Sequence, residues 1–255
     1  MPRRGRERSK SGIYHVMARG INRQDIFNED EDRQRYILTL QKAKEKSGCE
    51  LYGYCLMDNH IHLLIKEKSE SISQIMKRVG VSYAFWYNQK YERSGHVFQD
   101  RYKSEAVEDD NYFLAVLRYI HQNPLRAGMV KNIDDFSWSS HRLYATKQYQ
   151  SLIDIDLMLG LLDQDQGNAV ACYKQFMSEP NSVNYLESNE KARLTDTAAR
   201  LALSNLLNNQ PINVLLTMDK MDRDEVLRKA KKIEGISIRQ IARISGIGKH
   251  VVANS

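Results

Sequence analysis

Two histidines separated by one residue form the sharpest chemical feature of the sequence. They lie in the run His60-Ile61-His62, directly after the turn residues Asp58-Asn59. Side chains alternate along a β-strand, so His60 and His62 would project from one face while Ile61 enters the other. Two neutral imidazoles supply half of a metal site, since a metal ion needs further ligands. Taken alone, the pair fits a structural role as well as a metal-binding one.

A tyrosine and an asparagine four residues apart form the second feature. Tyr119 and Asn123 would be stacked one turn apart on the same face of a helix. A phenol can act as a nucleophile when a nearby cation stabilises its deprotonated form, and an amide oxygen could complete a metal site. The alternative is that Tyr119 packs on a sheet and Asn123 ends the helix before Pro124.

The elements that must position these residues alternate in the first half of the chain. Their patterns predict strands at 13–19, 49–57, 61–66 and 98–107, and helices at 30–47, 72–91 and 112–122. Asn123 and Pro124 are expected to end the last helix. The order indicates an α+β fold with a ferredoxin-like (βαββαβ) antiparallel sheet. The added helix carries Tyr119.

Charge and pattern divide the chain into regions. Residues 1–131 carry 23 Lys and Arg against 17 Asp and Glu, residues 132–222 carry 7 against 12, and residues 223–255 carry 8 against 3. Two basic ends suggest two surfaces for a polyanion. The predicted regions are a basic N-terminal arm (1–12), the α+β domain (13–145), a helical linker region (146–221) and a helix-turn-helix tail (222–255).

The tail gives the clearest pattern of the all-α C-terminal region. Ser237 can cap a helix with Ile238, Ile241 and Ala242 buried, and Gly246 can form the tight turn before the next helix. This spacing predicts a helix-turn-helix, a motif that binds duplex DNA.

Composition excludes several protein classes. The 255 residues are 42% hydrophobic and 27% charged, with no run of eighteen apolar residues and no apolar core of a secretion signal at the N-terminus. Three cysteines without a CxxC pair indicate neither a disulfide framework nor a thiolate zinc site. We therefore expect a cytoplasmic protein without a membrane partner.

Four ordered blocks resemble the REP-associated tyrosine transposases and related single-strand insertion-sequence transposases, which are HUH endonucleases with one catalytic tyrosine. The resemblance covers about residues 10–145. The blocks are YHVMARG at 14–20, MDNHIHLL at 57–64, GHVFQDRY at 95–102 and RYIHQNPLRAG at 118–128.

The resemblance implies a metal-dependent endonuclease that cleaves and rejoins single-stranded or hairpin DNA. Tyr119 would be the nucleophile and form a 5′-phosphotyrosine, while His60, His62 and Asn123 would hold Mg²⁺ or Mn²⁺. Repeated palindromic elements are the expected DNA, and a homodimer is an expected state of the protein.

Further residues are candidates for DNA contact. The basic arm could follow phosphates, although basic termini are common without that role. Positions 99, 101 and 103 are expected to share one strand face, and His15 on the first strand is expected to be buried in hydrogen bonds outside the site. The candidate DNA contacts are Arg3, Arg4, Arg6, Gln99, Arg101, Lys103, Arg239, Lys249 and His250.

Three other functions compete with this interpretation. A replication-initiator or relaxase-type nuclease would share the chemistry but not the block at 95–102. A non-catalytic DNA-binding regulator would depend on the helix-turn-helix alone. An RNA-binding sheet shares the order of elements but needs aromatic residues on its middle strands, where this chain has His60 and His62.

Overall fold

The computed structural model describes residues 8–148, 151–180 and 194–255. The described residues form two compact units: unit 1 contains 8–21 and 26–180, and unit 2 contains 22–25 and 194–255. Among these residues, no helix has both the length and the apolar character needed to cross a membrane. Arg3, Arg4 and Arg6 of the predicted basic arm lie outside the described residues.

A four-stranded antiparallel sheet forms the centre of unit 1. Its strands are β1 (Ile13–Arg19), β2 (Glu50–Met57), β3 (His60–Lys66) and β4 (Lys103–Ala106). Their order across the sheet is β2-β3-β1-β4, and every neighbouring pair is antiparallel. The predicted mixture of helices with an antiparallel sheet is thus confirmed.

Helices connect these strands and cover the sheet. They are α1 (Asp30–Ser47), α2 (Ile72–Lys90) and α3 (Asp110–Arg126). Local sequence sets their ends: Ser71 and Gln74 form a capping box at the start of α2, and Gly48 closes α1 in the left-handed conformation at φ 63°. The α3 helix packs against β2 and β3 and so reaches the strand that begins with His60.

The last strand is shorter than predicted. The sequence suggests a strand over 98–107, but β4 covers only Lys103–Ala106. Asp100 adopts a left-handed backbone conformation at φ 56°, which interrupts the alternation of a strand. The prediction that Gln99, Arg101 and Lys103 share one strand face is therefore wrong, although all three are exposed.

The α3 helix is longer than predicted. It continues through Pro124 to Arg126, so the expectation that Asn123 ends it is wrong. Proline lacks the N–H that would bond to the carbonyl four residues earlier, but near a C-terminus this removes a single bond. The helix recovers at once, since the backbone N–H of Ala127 donates to the carbonyl of Asn123 at 2.9 Å.

A glycine lets α3 approach the sheet. Gly53 lies in β2, and a Cβ atom at this position would stand 2.3 Å from Cδ1 of Leu117 on α3. Leu117 is fully buried, so its side chain has little room to move away. The missing side chain of Gly53 therefore sets how closely α3 lies on the sheet.

A buried polar network fixes α3 to its neighbours. Ser140 Oγ accepts from the backbone N–H of Tyr54 on β2 at 2.9 Å and lies 2.7 Å from His121 Nε2 on α3. The hydroxyl of Tyr173 lies 2.9 Å from His121 Nδ1 and 2.7 Å from His141 Nδ1. Burial lowers the pKa of both histidines, and the charge of the neighbouring His141 lowers the pKa of His121 further. Ser140 and His121 are both fully buried, so this network ties α3 to β2 inside the core.

Three further helices complete unit 1. They are α4 (His141–Ala145), α5 (Asp156–Leu162) and α6 (Gln166–Ser178). The described part of region 146–221 contains helices of both units, since α5 and α6 belong to unit 1 and the residues from 194 onward belong to unit 2.

Unit 2 is entirely helical where it is described. It contains α7 (Asp196–Leu206), α8 (Lys220–Lys231), α9 (Ile238–Ser245) and α10 (Lys249–Asn254). Its apolar core is separate from that of unit 1 and includes Leu203, Leu227, Ile241, Ile244 and Val252.

The turn between α9 and α10 follows the sequence pattern closely. The hydroxyl of Ser237 accepts from the backbone N–H of Gln240 at 3.2 Å, and Gly246 ends α9 at φ 73°. The predicted burial of Ile238 is wrong, because 38% of it is exposed. Gln240 instead turns inward and donates to Asp196 Oδ1 at 3.0 Å, which shifts the buried face of α9 toward Ile241 and Ile244.

Adding one methyl group at Gly53 should disturb the placement of α3. We expect Gly53→Ala to lower the free energy of unfolding by about 1–3 kcal/mol, the usual cost of overpacking a core. The matched control is Gly80→Ala on α2, where a Cβ would meet nothing within 4 Å. That change should be neutral or stabilise by up to about 1 kcal/mol. Urea unfolding of the two variants measures the difference, and equal stabilities would contradict the close approach.

Acid should weaken the fold through the buried histidines. Their pKa values lie below the ordinary 6.5 in the folded state, so the unfolded chain binds more protons as the pH falls below about 6.5. The free energy of unfolding should therefore fall, by up to about 1.4 kcal/mol per histidine for each pH unit.

The variant His141→Asn isolates this effect, because its amide can still bond to Tyr173. Urea unfolding at pH 7.5 and 5.5 should show a smaller acid loss than in the wild type. His96→Asn changes an exposed histidine and serves as the control, with the loss expected to match the wild type. If the free energy of unfolding falls equally between pH 7.5 and 5.5 in both variants, the buried histidines do not cause the acid sensitivity.

Candidate functional site

The two histidines of β3 meet on one face of the sheet, as strand alternation predicts. The ring centroids of His60 and His62 lie 5.1 Å apart, with their planes at 88°. His62 is fully buried and His60 is 9% exposed. The pair lies at the start of the strand, immediately after the turn that joins β2 and β3.

Tyr119 faces this pair from α3. Its ring centroid lies 5.5 Å from that of His62, nearly perpendicular at 89°. Only 2% of Tyr119 is exposed, and Asn123 follows one turn later with 4% exposed. The fold therefore brings His60, His62 and Tyr119 together, and α3 carries Asn123 on the same side as Tyr119.

His15 belongs to the same cluster, so the expectation that it lies outside the site is wrong. Its Nε2 lies 3.0 Å from Nδ1 of His62, and the two rings are stacked with centroids 5.2 Å apart. The His15 ring also meets Tyr119 edge-on, with centroids 5.8 Å apart. His15 is buried and hydrogen-bonded as expected, but its partner is His62, one of the candidate metal ligands.

The pairing of β1 with β3 contains the signal that would have revealed His15. Met17 lies directly opposite His62 in the antiparallel register. His15 is two residues from Met17 and thus points to the same face as His62. A predicted order of strands with this register would have placed the three histidines together.

Each histidine of β3 is held through its Nδ1 atom. Nδ1 of His60 lies 2.6 Å from the side-chain oxygen of Asn59. An amide oxygen only accepts hydrogen bonds, so the proton of His60 resides on Nδ1 and the lone pair on Nε2. Nδ1 of His62 lies 3.0 Å from Nε2 of His15, and the direction of that hydrogen bond depends on the tautomers of the two rings. Metal-ligating histidines commonly have such partners, which fix the tautomer and the direction of the ring.

The histidine pair would supply a divalent cation with only part of its ligands. Within the described residues, no group of three or more His, Cys, Asp and Glu side chains is placed to hold a metal ion. A metal ion bound by His60 and His62 would therefore take a further protein ligand of another type, and the amide of Asn123 is the candidate. Two imidazoles and an amide oxygen would leave coordination positions open for water or substrate, unlike the four protein ligands of a closed zinc centre.

An arginine adds positive charge beside the tyrosine. The guanidinium carbon of Arg126 lies 5.1 Å from the centre of the Tyr119 ring, within the range of a cation–π contact. Arg126 stands two turns after Tyr119 at the end of α3 and is exposed. The arrangement places a solvent-facing cation against the ring of the candidate nucleophile.

The end of α6 holds the part of α3 that carries Tyr119. Gln122 donates from Nε2 to the carbonyls of Met177 and Glu179, each at 2.8 Å. Arg118 lies over the ring of Phe176 at 4.2 Å. These two α3 residues flank Tyr119 in sequence, so α6 restrains the helix on both sides of it.

The remaining candidate DNA contacts are distributed over both units. Each described one is exposed, three in unit 1 and three in unit 2. They are Gln99, Arg101 and Lys103, and Arg239, Lys249 and His250.

Comparison with known proteins gives consistent matches. Residues 8–123 match the model of a family described as IS200-like transposases. A protein of Haemophilus influenzae named as a REP-associated tyrosine transposase is 27% identical over 155 residues, covering 54% of this chain and 84% of that protein. A solved structure of a REP-associated tyrosine transposase bound to a REP hairpin has a TM-score of 0.50 and 19% identity, and the match covers 61% of this chain and 96% of that one.

The matched segment contains His15, His60, His62, Tyr119 and Asn123. The family-model match and the relative confirm the resemblance that the four sequence blocks indicate: residues 8–123 match the model of the IS200-like transposase family. The solved structure shows a similar fold.

Proposed function

We propose that unit 1 is a metal-dependent DNA endonuclease of the transposase type, which cleaves and rejoins single-stranded or hairpin DNA through Tyr119. The observation that carries this proposal is the contact of the Tyr119 ring with His62 at 5.5 Å. A phenol, two imidazoles and an amide one helical turn after the phenol form a set suited to metal-assisted attack on a phosphodiester. The strand order β2-β3-β1-β4 also supports a ferredoxin-like assignment of the sheet.

In this proposal Tyr119 supplies the nucleophile. Its hydroxyl gives up a proton, and the phenolate oxygen forms a bond to the scissile phosphorus. The bond from phosphorus to the 3′ oxygen breaks, and that oxygen takes up a proton to become a 3′-hydroxyl. The product is a 5′-phosphotyrosine. Attack by another 3′-hydroxyl reverses the step and rejoins DNA without an external energy source.

The other site residues bind and orient. His60 and His62 would hold Mg²⁺ or Mn²⁺ through Nε2, with the amide oxygen of Asn123 as third protein ligand. When bound, the cation neutralises charge that develops on the phosphate oxygens. Arg126 would add a second positive charge at the side of the Tyr119 ring.

Hairpin DNA is the substrate to test first. The structural relative is described as bound to a REP hairpin, and the first 131 residues of this chain have an excess of six positive charges. Exposed Gln99, Arg101 and Lys103 are proposed contacts to the DNA backbone or bases.

Covalent capture tests the proposal. A hairpin oligonucleotide labelled at its 3′ end should become attached to the protein in the presence of Mn²⁺, and the adduct should persist on a denaturing gel. Tyr119→Phe should abolish the adduct because the nucleophilic oxygen is missing. Removal of the metal by a chelator should abolish it as well.

The matched control is Tyr112→Phe, which removes a hydroxyl two turns earlier on the same helix and should leave the adduct intact. Adduct formation by Tyr119→Phe would show that Tyr119 is not the nucleophile. Duplex binding without any adduct in the wild type would favour the non-catalytic regulator. A replication-initiator or relaxase-type nuclease would form the same adduct, and a preference for plain single strands over hairpins would favour it.

We also propose that the α9–α10 turn of unit 2 binds duplex DNA. Arg239 at the start of α9 and Lys249 and His250 at the start of α10 are exposed. Residues 223–255 carry five more positive than negative charges. Exposed cations on neighbouring helices of this motif are suited to phosphate contacts.

Neutralising two of these charges should weaken duplex binding. We expect the double variant Arg239→Gln, Lys249→Gln to lower affinity and to reduce the slope of log affinity against log salt by about one for each lost phosphate contact. Lys229→Gln on α8 is the control, because that lysine is paired with Glu225 at 2.8 Å. A salt slope unchanged from the wild type in the double variant would contradict this role.

A further inference from the structure

His15 is a fully buried residue whose contacts lie at the centre of the proposed site. It stands on β1, one strand away from the two histidines of β3. Its neighbours include His62, through a hydrogen bond and ring stacking, and Tyr119, through an edge contact. A buried imidazole in this position has little prospect of meeting DNA directly, so its role must be exerted through these neighbours.

The hydrogen bond between His15 and His62 has a direction once His62 binds a metal ion. A neutral imidazole has one protonated nitrogen and one nitrogen with a lone pair. If Nε2 of His62 ligates the ion, the proton lies on Nδ1, and Nδ1–H donates to Nε2 of His15 over the observed 3.0 Å. His15 then carries its own proton on Nδ1.

We propose that His15 is the positioning residue of the metal site: it accepts the hydrogen bond of His62, selects the tautomer of His62 that ligates through Nε2, and fixes the angle of that ring. This inference rests on the proposed metal site and goes beyond it by assigning a role to β1. The equivalent support for His60 is Asn59, whose amide oxygen lies 2.6 Å from Nδ1.

The two supports differ in their chemistry. The amide oxygen of Asn59 can only accept, so it sets the tautomer of His60 without ambiguity. Nε2 of His15 can donate or accept, according to its own tautomer. The stacking of His15 on His62, with planes at 28°, adds a restraint on ring orientation that Asn59 does not provide.

The same side chain also spaces the ligand and the nucleophile. The His15 ring touches Tyr119 at 5.8 Å between centroids while it is stacked on His62 at 5.2 Å. The three rings form a closed set, since His62 and Tyr119 are themselves in contact at 5.5 Å. Removal of His15 would therefore leave a gap beside both partners.

Binding of Mn²⁺ to the full-length protein without DNA tests the inference. Electron paramagnetic resonance measures the free ion during a titration and so reports affinity without reference to cleavage. The decisive pair of variants is His15→Gln and His15→Met, because the two side chains have nearly the same length. The amide oxygen of Gln is a strong hydrogen-bond acceptor, whereas the thioether of Met is only a weak one. His15→Phe is a third variant, which keeps a ring for stacking but has no nitrogen.

We expect His15→Met and His15→Phe to weaken Mn²⁺ binding by about 10–100-fold, the usual effect of removing the hydrogen-bond partner of a ligating histidine. His15→Gln should restore most of the affinity. His96→Ala, at an exposed histidine, should bind as the wild type does. Thermal unfolding without metal identifies any variant that fails to fold, and if His15→Met is unfolded, His15→Phe takes its place.

Two results would overturn the inference, and they have different meanings. If Mn²⁺ binding is lost in His62→Ala but is as tight in folded His15→Met or His15→Phe as in the wild type, His15 has no positioning role and the metal site stands. If Mn²⁺ binding is unchanged in His62→Ala, the metal site itself is wrong, and the role of His15 falls with it.

Discussion

The contact between Tyr119 on α3 and His62 on β3 is the constraint on which the proposed site depends. The tyrosine and the histidine come from distant parts of the sequence, and only the packing of α3 on the sheet brings their rings within 5.5 Å. Both side chains are almost fully buried. A change of even a fraction of an ångström in the helix position would thus alter the geometry of the nucleophile toward any cation held by the histidines.

Three separate features hold α3 in that position. Gly53 allows close approach, because any Cβ there would meet Leu117 at 2.3 Å. The buried polar network ties the helix to β2 through Ser140, which bonds to both Tyr54 and His121. The C-terminal end of α6 receives hydrogen bonds from Gln122. Contacts from β2, from Ser140 and from the end of α6 therefore place the helix that carries Tyr119.

Patterns within single segments of the sequence correctly predicted strand faces and helix ends. Strand alternation correctly placed His60 and His62 on one face. Gly48 correctly predicted the C-terminal end of α1, and Ser237 correctly predicted the start of α9. The errors arise where backbone conformation or distant contacts override the pattern. Asp100 takes a left-handed backbone conformation just before β4, so the strand is shorter than predicted. Gln240 donates a hydrogen bond to Asp196, so the buried face of α9 includes Gln240 rather than Ile238.

The role of His15 could not be predicted from its own segment, because it depends on the register between β1 and β3. The anchoring of α3 by α6 was equally hidden, since the partners are more than fifty residues apart in sequence. Long-range contacts of this kind leave no periodic signal in either segment.

Mass spectrometry of the trapped protein–DNA adduct tests the central claim most directly. After nuclease and trypsin digestion, the residual nucleotide phosphate should be located on Tyr119 in the peptide of residues 119–126, which follows Arg118 and ends at Arg126. Attachment of the nucleotide to any residue other than Tyr119 would contradict the account.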